Sequence, residues 1–148
     1  MAMQRLFLGL LAASVAVGPC PAQPMGAPAM AATPIPLDQE RMIDGVGVAC
    51  SGIGQSKADP RWLSYSVRLE FSDPARDYLA DEAVAVTNAA GQRLAAVKCE
   101  GPWILIKLPP GTYRVTGWLP GSPDKPVSAE IHAPAKGQQR FVLEFPNP

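Results

Sequence analysis

Asp73, Asp77, Asp81 and Glu82 gather four carboxylates in one short segment, with Arg76 among them. Carboxylates this close can ligate a hard cation or share acid–base work. A calcium loop sets its oxygen ligands at alternate residues, and this segment does not. The residues therefore read as turn-forming, solvated side chains. His132 is the single histidine. It falls on the outward parity of its segment, and a general base needs a nucleophile and an orienting partner beside it. Ser51-Gly52-Ile53-Gly54 is glycine-rich, but no Lys-Ser/Thr pair follows, so it reads as a tight turn beside Cys50 rather than a phosphate loop. No serine stands in a Gly-x-Ser-x-Gly elbow. No catalytic residue, metal ligand or cofactor is assigned on these grounds.

Trp62, Trp103 and Trp118 could form a stacking platform for a sugar or a protein. Trp103 shares parity with Leu105 and Lys107, and Trp118 with Arg114 and Thr116. Both fall on the less buried face of their segments, which makes Trp103 and Trp118 the candidate ligand-binding residues.

These side chains need a scaffold, and its compartment comes first. Met1 to Arg5 carry a positive charge and no acid, and Leu6 to Val17 form an unbroken run of apolar and small residues. That is a signal-peptide core, too short to span a bilayer. Cleavage after Ala22, with Ala29 and Ala32 as later alternatives, makes residues 1–22 the signal peptide. Val17-Gly18-Pro19-Cys20 invites a lipoprotein reading, which the proline directly before Cys20 disfavours. Residues 23–39, rich in Pro, Ala, Met and Gly, read as a disordered spacer, because such a composition buries too little surface to offset ordering entropy. Residues 40–148 remain as one domain. Loss of Cys20 with the signal leaves Cys50 and Cys99, which in an oxidising compartment are expected to form a disulfide. Thirteen basic and thirteen acidic residues balance, so nothing points to nucleic acid as a partner. No later run is long enough to be a transmembrane segment.

Leu63 to Phe71 alternates apolar and polar residues, the period of a half-buried strand. Val84 to Lys98 reads as a hairpin around Asn88-Ala89-Ala90-Gly91, with a bulge between Leu94 and Val97. Trp103 to Leu108 is nearly continuous apolar sequence, as in a central strand. Leu108-Pro109-Pro110-Gly111 then reads as a type II turn into Tyr113 to Leu119, with glycine at positive φ and Leu108 and Tyr113 as core anchors. Pro126 to His132 and Arg140 to Phe145 alternate again. A helical turn fits only at Asp77 to Ala83, and Gly45 to Ala49 adds at most a short edge strand. The expected fold is all-β, a seven-stranded antiparallel sandwich of the prealbumin or immunoglobulin kind.

Val84-Ala85-Val86-Thr87-Asn88-Ala89-Ala90-Gly91-Gln92, followed by Leu108-Pro109-Pro110-Gly111-Thr112-Tyr113-Arg114-Val115, resembles the carboxypeptidase regulatory-like, or transthyretin-like, sandwich. With Ser51-Gly52-Ile53-Gly54 and Tyr78-Leu79-Ala80-Asp81, it looks like the small exported bacterial proteins that carry this domain. The resemblance runs from about Cys50 to Phe145. It implies the fold and carries over no catalytic residue, since the regulatory domain of carboxypeptidases is their appendage without chemistry. The related urate-pathway hydrolases use histidines, an arginine and a Tyr-Arg-Gly-Ser ending. This chain has one histidine and ends Phe145-Pro146-Asn147-Pro148, and on that departure that activity is not expected here.

The expectation from sequence is thus an exported, periplasmic or secreted β-sandwich module that is not an enzyme and binds a protein or glycan in the cell envelope. The alternative is a small periplasmic hydrolase or metal-dependent enzyme with a non-standard site. Arg76 within its acidic segment, or Lys98 near Glu100, would have to provide that site.

Overall fold

The computed structural model describes residues 31–146. The expected signal peptide, Cys20 and the first part of the expected spacer lie outside them. The chain runs through β1 (Thr33–Ile35), β2 (Gln39–Ile43), β3 (Val46–Ser51), two 3-10 turns, η1 (Gly54–Ala58) and η2 (Pro60–Ser64), then β4 (Val67–Ser72), β5 (Ala83–Asn88), β6 (Arg93–Cys99), β7 (Trp103–Lys107), β8 (Gly111–Leu119), β9 (Ser122–Ala133) and β10 (Gln139–Glu144). One five-stranded sheet has the order β1-β6-β5-β8-β9 and the other β10-β4-β7-β3-β2. The fold is an all-β sandwich of two five-stranded sheets. No helix among the described residues is long and apolar enough to cross a membrane.

The sandwich differs in detail from the expectation. It has more than seven strands, and it is not wholly antiparallel: β1 pairs in parallel with β6, and β10 in parallel with β4. The expected spacer at residues 23–39 gives way to structure at Thr33. Ile35 is 1% exposed, because the β1 pairing carries it into the core beside Cys99. A short strand with one buried side chain has no period to read. β3 is an inner strand, flanked by β7 and capped at the sheet edge by β2.

The alternation from Leu63 also breaks. Asp59 accepts a hydrogen bond from the Arg61 N–H at 2.9 Å, and Pro60 pre-sets φ at the first position of η2. This local start signal overrides the strand period, so Leu63 is left 69% exposed. Trp62 and Tyr65 instead pack with Ala49 and Leu105 in a small cluster on the outer side of the second sheet. The side-chain amide of Gln138 ties this segment to the start of β10 by donating to the Trp62 and Tyr65 carbonyls at 2.7 and 3.1 Å. No helical turn forms at Asp77 to Ala83, where the chain makes only an isolated bridge, Ser72 to Tyr78.

The main core lies between the sheets. Val67, Leu69 and Phe71 of β4, and Ile104 and Ile106 of β7, face Val84 and Val86 of β5, Val97 of β6 and Val115 of β8. Each such side chain contributes about 1.5–3 kcal/mol when fully buried. The expected bulge is real: Val86 pairs with Ala95 but Thr87 with Arg93, which leaves Leu94 unpaired on β6. Gly117 of β8 lets Phe71 and Phe145 close over it, since a Cβ there would lie 2.8 Å from the Phe71 ring.

Leu108 and Tyr113 are core anchors as expected. Gly111 has the expected positive φ, but at +156° it lies far from the roughly +80° of a type II turn. The geometry is set instead by Tyr113, whose hydroxyl donates to the Pro109 carbonyl at 2.9 Å across the corner. Tyr113→Phe is expected to cost about 1 kcal/mol, the net value of one hydrogen bond, with the ring left in place. Urea denaturation checks this; a midpoint equal to that of the native chain would show that the corner is held by packing alone.

Candidate functional site

The outer side of the second sheet carries the polar chemistry. On β4 the residues between the core positions, Arg68 and Glu70, point outward. In register, Arg140 of β10 lies beside Arg68, and Trp103 of β7 beside Glu70. Lys57 of η1 borders one side, and Tyr78, from the connection between β4 and β5, borders the other. Together with Gly52 and Pro102 they line an open groove of roughly 420 Å³. A second hollow of about 410 Å³ continues past Tyr78 and Arg140 toward Arg76, Val142 and Glu144.

Glu70 organises this groove. Its side chain is only 2% exposed. One oxygen, Oε2, accepts from an Arg140 terminal amino group at 2.6 Å, and the other, Oε1, lies 2.9 Å from Arg68 Nε. That second contact is ionic, since the Arg68 N–H points off the line of a hydrogen bond. A buried carboxylate needs such partners, because an unpaired buried charge is strongly disfavoured. The hydrogen bond to Glu70 raises the Arg140 guanidinium above its already high ordinary pKa, with smaller opposition from burial. The same Arg140 amino group donates to the Tyr78 hydroxyl at 2.8 Å. The Arg68 guanidinium carbon lies 4.3 Å from the Trp103 ring centroid, a cation–π contact.

The segment that presents Tyr78 is held in a particular shape. Arg76 and Asp81 both adopt left-handed backbone, at φ +69° and +67°, which costs a non-glycine residue free energy. Asp73 accepts from the Asp77 N–H at 2.9 Å, and the Leu79 N–H donates to the Phe71 carbonyl at 2.9 Å. Three of the four carboxylates thus belong to a turn, as their spacing implied. The fourth does not. Glu82 is fully buried, and neither carboxylate oxygen has a hydrogen-bond partner. Burial pushes its pKa up to about 7; its own backbone N–H opposes the shift and the Asp81 charge adds to it.

Of the candidate ligand-binding residues, Trp103 lines the groove. Its ring is packed between Arg68 and the backbone of Gly52, where a Cβ would lie 2.7 Å from Cγ. Gly52, at φ +104°, is the tight turn expected beside Cys50. Trp118 sits half-buried on β8 of the other sheet, so the two tryptophans share no site. Trp62 is buried, its indole N–H donating to the Ser56 carbonyl at 2.8 Å. Sequence reasoning missed the groove. The outward parity of Arg68 and Glu70 was visible, but Arg140 joins them only through the parallel pairing of β10. No group of three or more His, Cys, Asp or Glu residues among the described residues could hold a metal ion.

The expected disulfide is present. Cys50 of β3 and Cys99 of β6 are joined with Cα atoms 5.4 Å apart, which links one sheet to the other. Gly101 packs against the bridge, its N–H 3.3 Å from Cys50 Sγ, and a Cβ there would lie 2.4 Å from the Ser51 carbonyl.

No family model matches this chain, and no curated protein matches it. Among solved structures it is similar to 5-hydroxyisourate hydrolase of Klebsiella pneumoniae, with a TM-score of 0.42 and 12% identity over 57% of this chain and 89% of that one. At that level the match transfers no residue or activity. It does correct the expectation that the chain is not an enzyme, because the similar structure is itself that of an enzyme. The sandwich gives no ground for ruling catalysis out.

Proposed function

We propose that this chain is an exported binding module of the cell envelope that holds a protein or glycan partner in the groove on the outer side of its second sheet. The observation that carries the reading is the buried Glu70, which fixes Arg140 and Arg68 from below and so presents a preformed set of donors beside Trp103 and Tyr78. Recognition by polar groups held in place before binding loses less ordering free energy than recognition by mobile side chains. The disulfide supports an oxidising compartment, where such bonds persist.

Retention of envelope components on immobilised protein tests the proposal. The native chain is expected to retain a component that Arg140→Gln loses roughly fivefold or more, and Trp103→Ala is expected to weaken retention as well. Trp118→Ala, outside the groove, should leave it unchanged. Retention indifferent to Arg140→Gln would remove the groove from the function.

A further inference from the structure

The groove has unspent binding capacity of one sign. Lys57, Arg68 and Arg140 bring three cations to it against the single carboxylate Glu70. Glu70 engages Arg68 only at Nε and Arg140 only at one terminal amino group. Both terminal amino groups of Arg68, and Nε and the other amino group of Arg140, have no hydrogen-bond partner among the described residues. Lys57 is exposed and has no ion-pair partner among them. A guanidinium with two free N–H groups in its fork matches a carboxylate in bidentate fashion.

The shape of the groove narrows the class of ligand. Its floor is the side-chain face of β4 and β7, and each of these strands is paired on both sides. An extended peptide takes much of its affinity from the free main-chain groups of a sheet edge; the floor offers none, and the one edge beside it is β10, which supplies Arg140. Recognition on that floor falls to side chains: fixed N–H forks, a phenol hydroxyl at Tyr78 and the Tyr78 ring, the Trp103 ring being already packed between Arg68 and Gly52. The volume, roughly 420 Å³, lies in the range of small-ligand sites. From this set we infer that the groove takes an acidic saccharide, with a sugar carboxylate on the Arg68–Arg140 pair, Lys57 as a second electrostatic contact, and the sugar ring against Tyr78. This rests on the groove being the binding site proposed above.

The test is calorimetric titration of the full chain with tetragalacturonate, with maltotetraose as the neutral sugar and tetraglutamate as the acidic peptide. Saturable binding is expected for the uronate, at least tenfold tighter than for either comparison and weakening as salt rises. Arg140→Gln is expected to weaken it roughly tenfold. Lys57→Gln, which disturbs no internal contact, should weaken it about threefold, so the result does not depend on a variant that alters the Glu70 pair. Equal binding of maltotetraose would overturn the charge argument, and tighter binding of tetraglutamate would overturn the saccharide in favour of a peptide. If no uronate binds while retention of envelope components still depends on Arg140, the ligand class falls and the groove stands. If neither depends on Arg140, the groove itself falls.

Discussion

Replacing both Cys50 and Cys99 by alanine is expected to lower folding stability by about 4 kcal/mol. The bridge closes a loop with a sequence separation of 49, and cross-linking a loop of that size removes on the order of 4 kcal/mol of chain entropy from the unfolded ensemble. Its placement adds to the effect. β3 and β6 belong to different sheets, so the bond fastens the two layers where Gly101 must pack with no side chain. A loss of this size is a large fraction of the 5–15 kcal/mol by which domains are usually stable. The measurement is guanidinium denaturation of the double variant beside the native protein with and without reductant. Reductant should move the native chain most of the way to the variant's midpoint. A variant within 1 kcal/mol of the native protein would show that the interlayer core alone holds the sheets together.

Glu82 sets a second large effect, with pH as the variable. In the unfolded chain its carboxyl titrates near its ordinary value of 4.5, and in the folded protein burial raises the pKa to about 7. The folded state therefore holds the proton more tightly. That contribution is fully present below pH 4.5 and is lost as pH rises through 7. Two to three pKa units correspond to about 3 kcal/mol across the window, set against whatever the other carboxylates contribute as they ionise. Glu82→Gln removes the titration and keeps the shape. The variant is expected to lose stability less steeply than the native chain between pH 5 and 8, and at pH 8 to be the more stable of the two by roughly 2 kcal/mol. Thermal melts across that range check it, with Glu82→Met as the variant that leaves no buried amide to satisfy. Parallel stability curves for native and Glu82→Gln protein would mean that the carboxylate finds water or a partner when it ionises.

The parts of the molecule that could be read from sequence are those with a local signal. Alternation found the inner faces of β4, β9 and β10, the glycine of Asn88-Ala89-Ala90-Gly91 marked its hairpin, and the parity slip near Leu94 marked the bulge. Asn88 indeed accepts from the Ala90 and Gln92 N–H groups in that turn, at 3.1 and 2.9 Å. Two cysteines left over in a chain expected to be exported were enough to give the bridge. What escaped were consequences of long-range pairing. Ile35 gives no periodic signal, and only its place beside β6 buries it. Arg140 reads as an outward residue on an alternating strand, and nothing local says that a parallel neighbour brings it onto Glu70. Glu82 stands among three turn carboxylates and reads as one of them. The entry of the chain into β5, where Val84 and Val86 face the core, carries Glu82 inward with them. Leu63 shows the reverse case, where a strong period gave way to the start signal of Asp59 and Pro60.

The parallel pairing of β10 with β4 also bears on when the groove can exist. Arg140 and Glu70 meet across seventy residues of chain, and contacts of such separation form late because loop closure must precede them. A nascent chain that has emerged only as far as β9 already holds Arg68, Glu70 and Trp103, but Glu70 lacks its stronger partner and Gln138 has not yet tied η2 to the sheet edge. The site is therefore completed by β10, the last strand in chain order. The groove arrives with completion of the fold, and a chain cut short before β10 would keep most of its core and none of its finished groove.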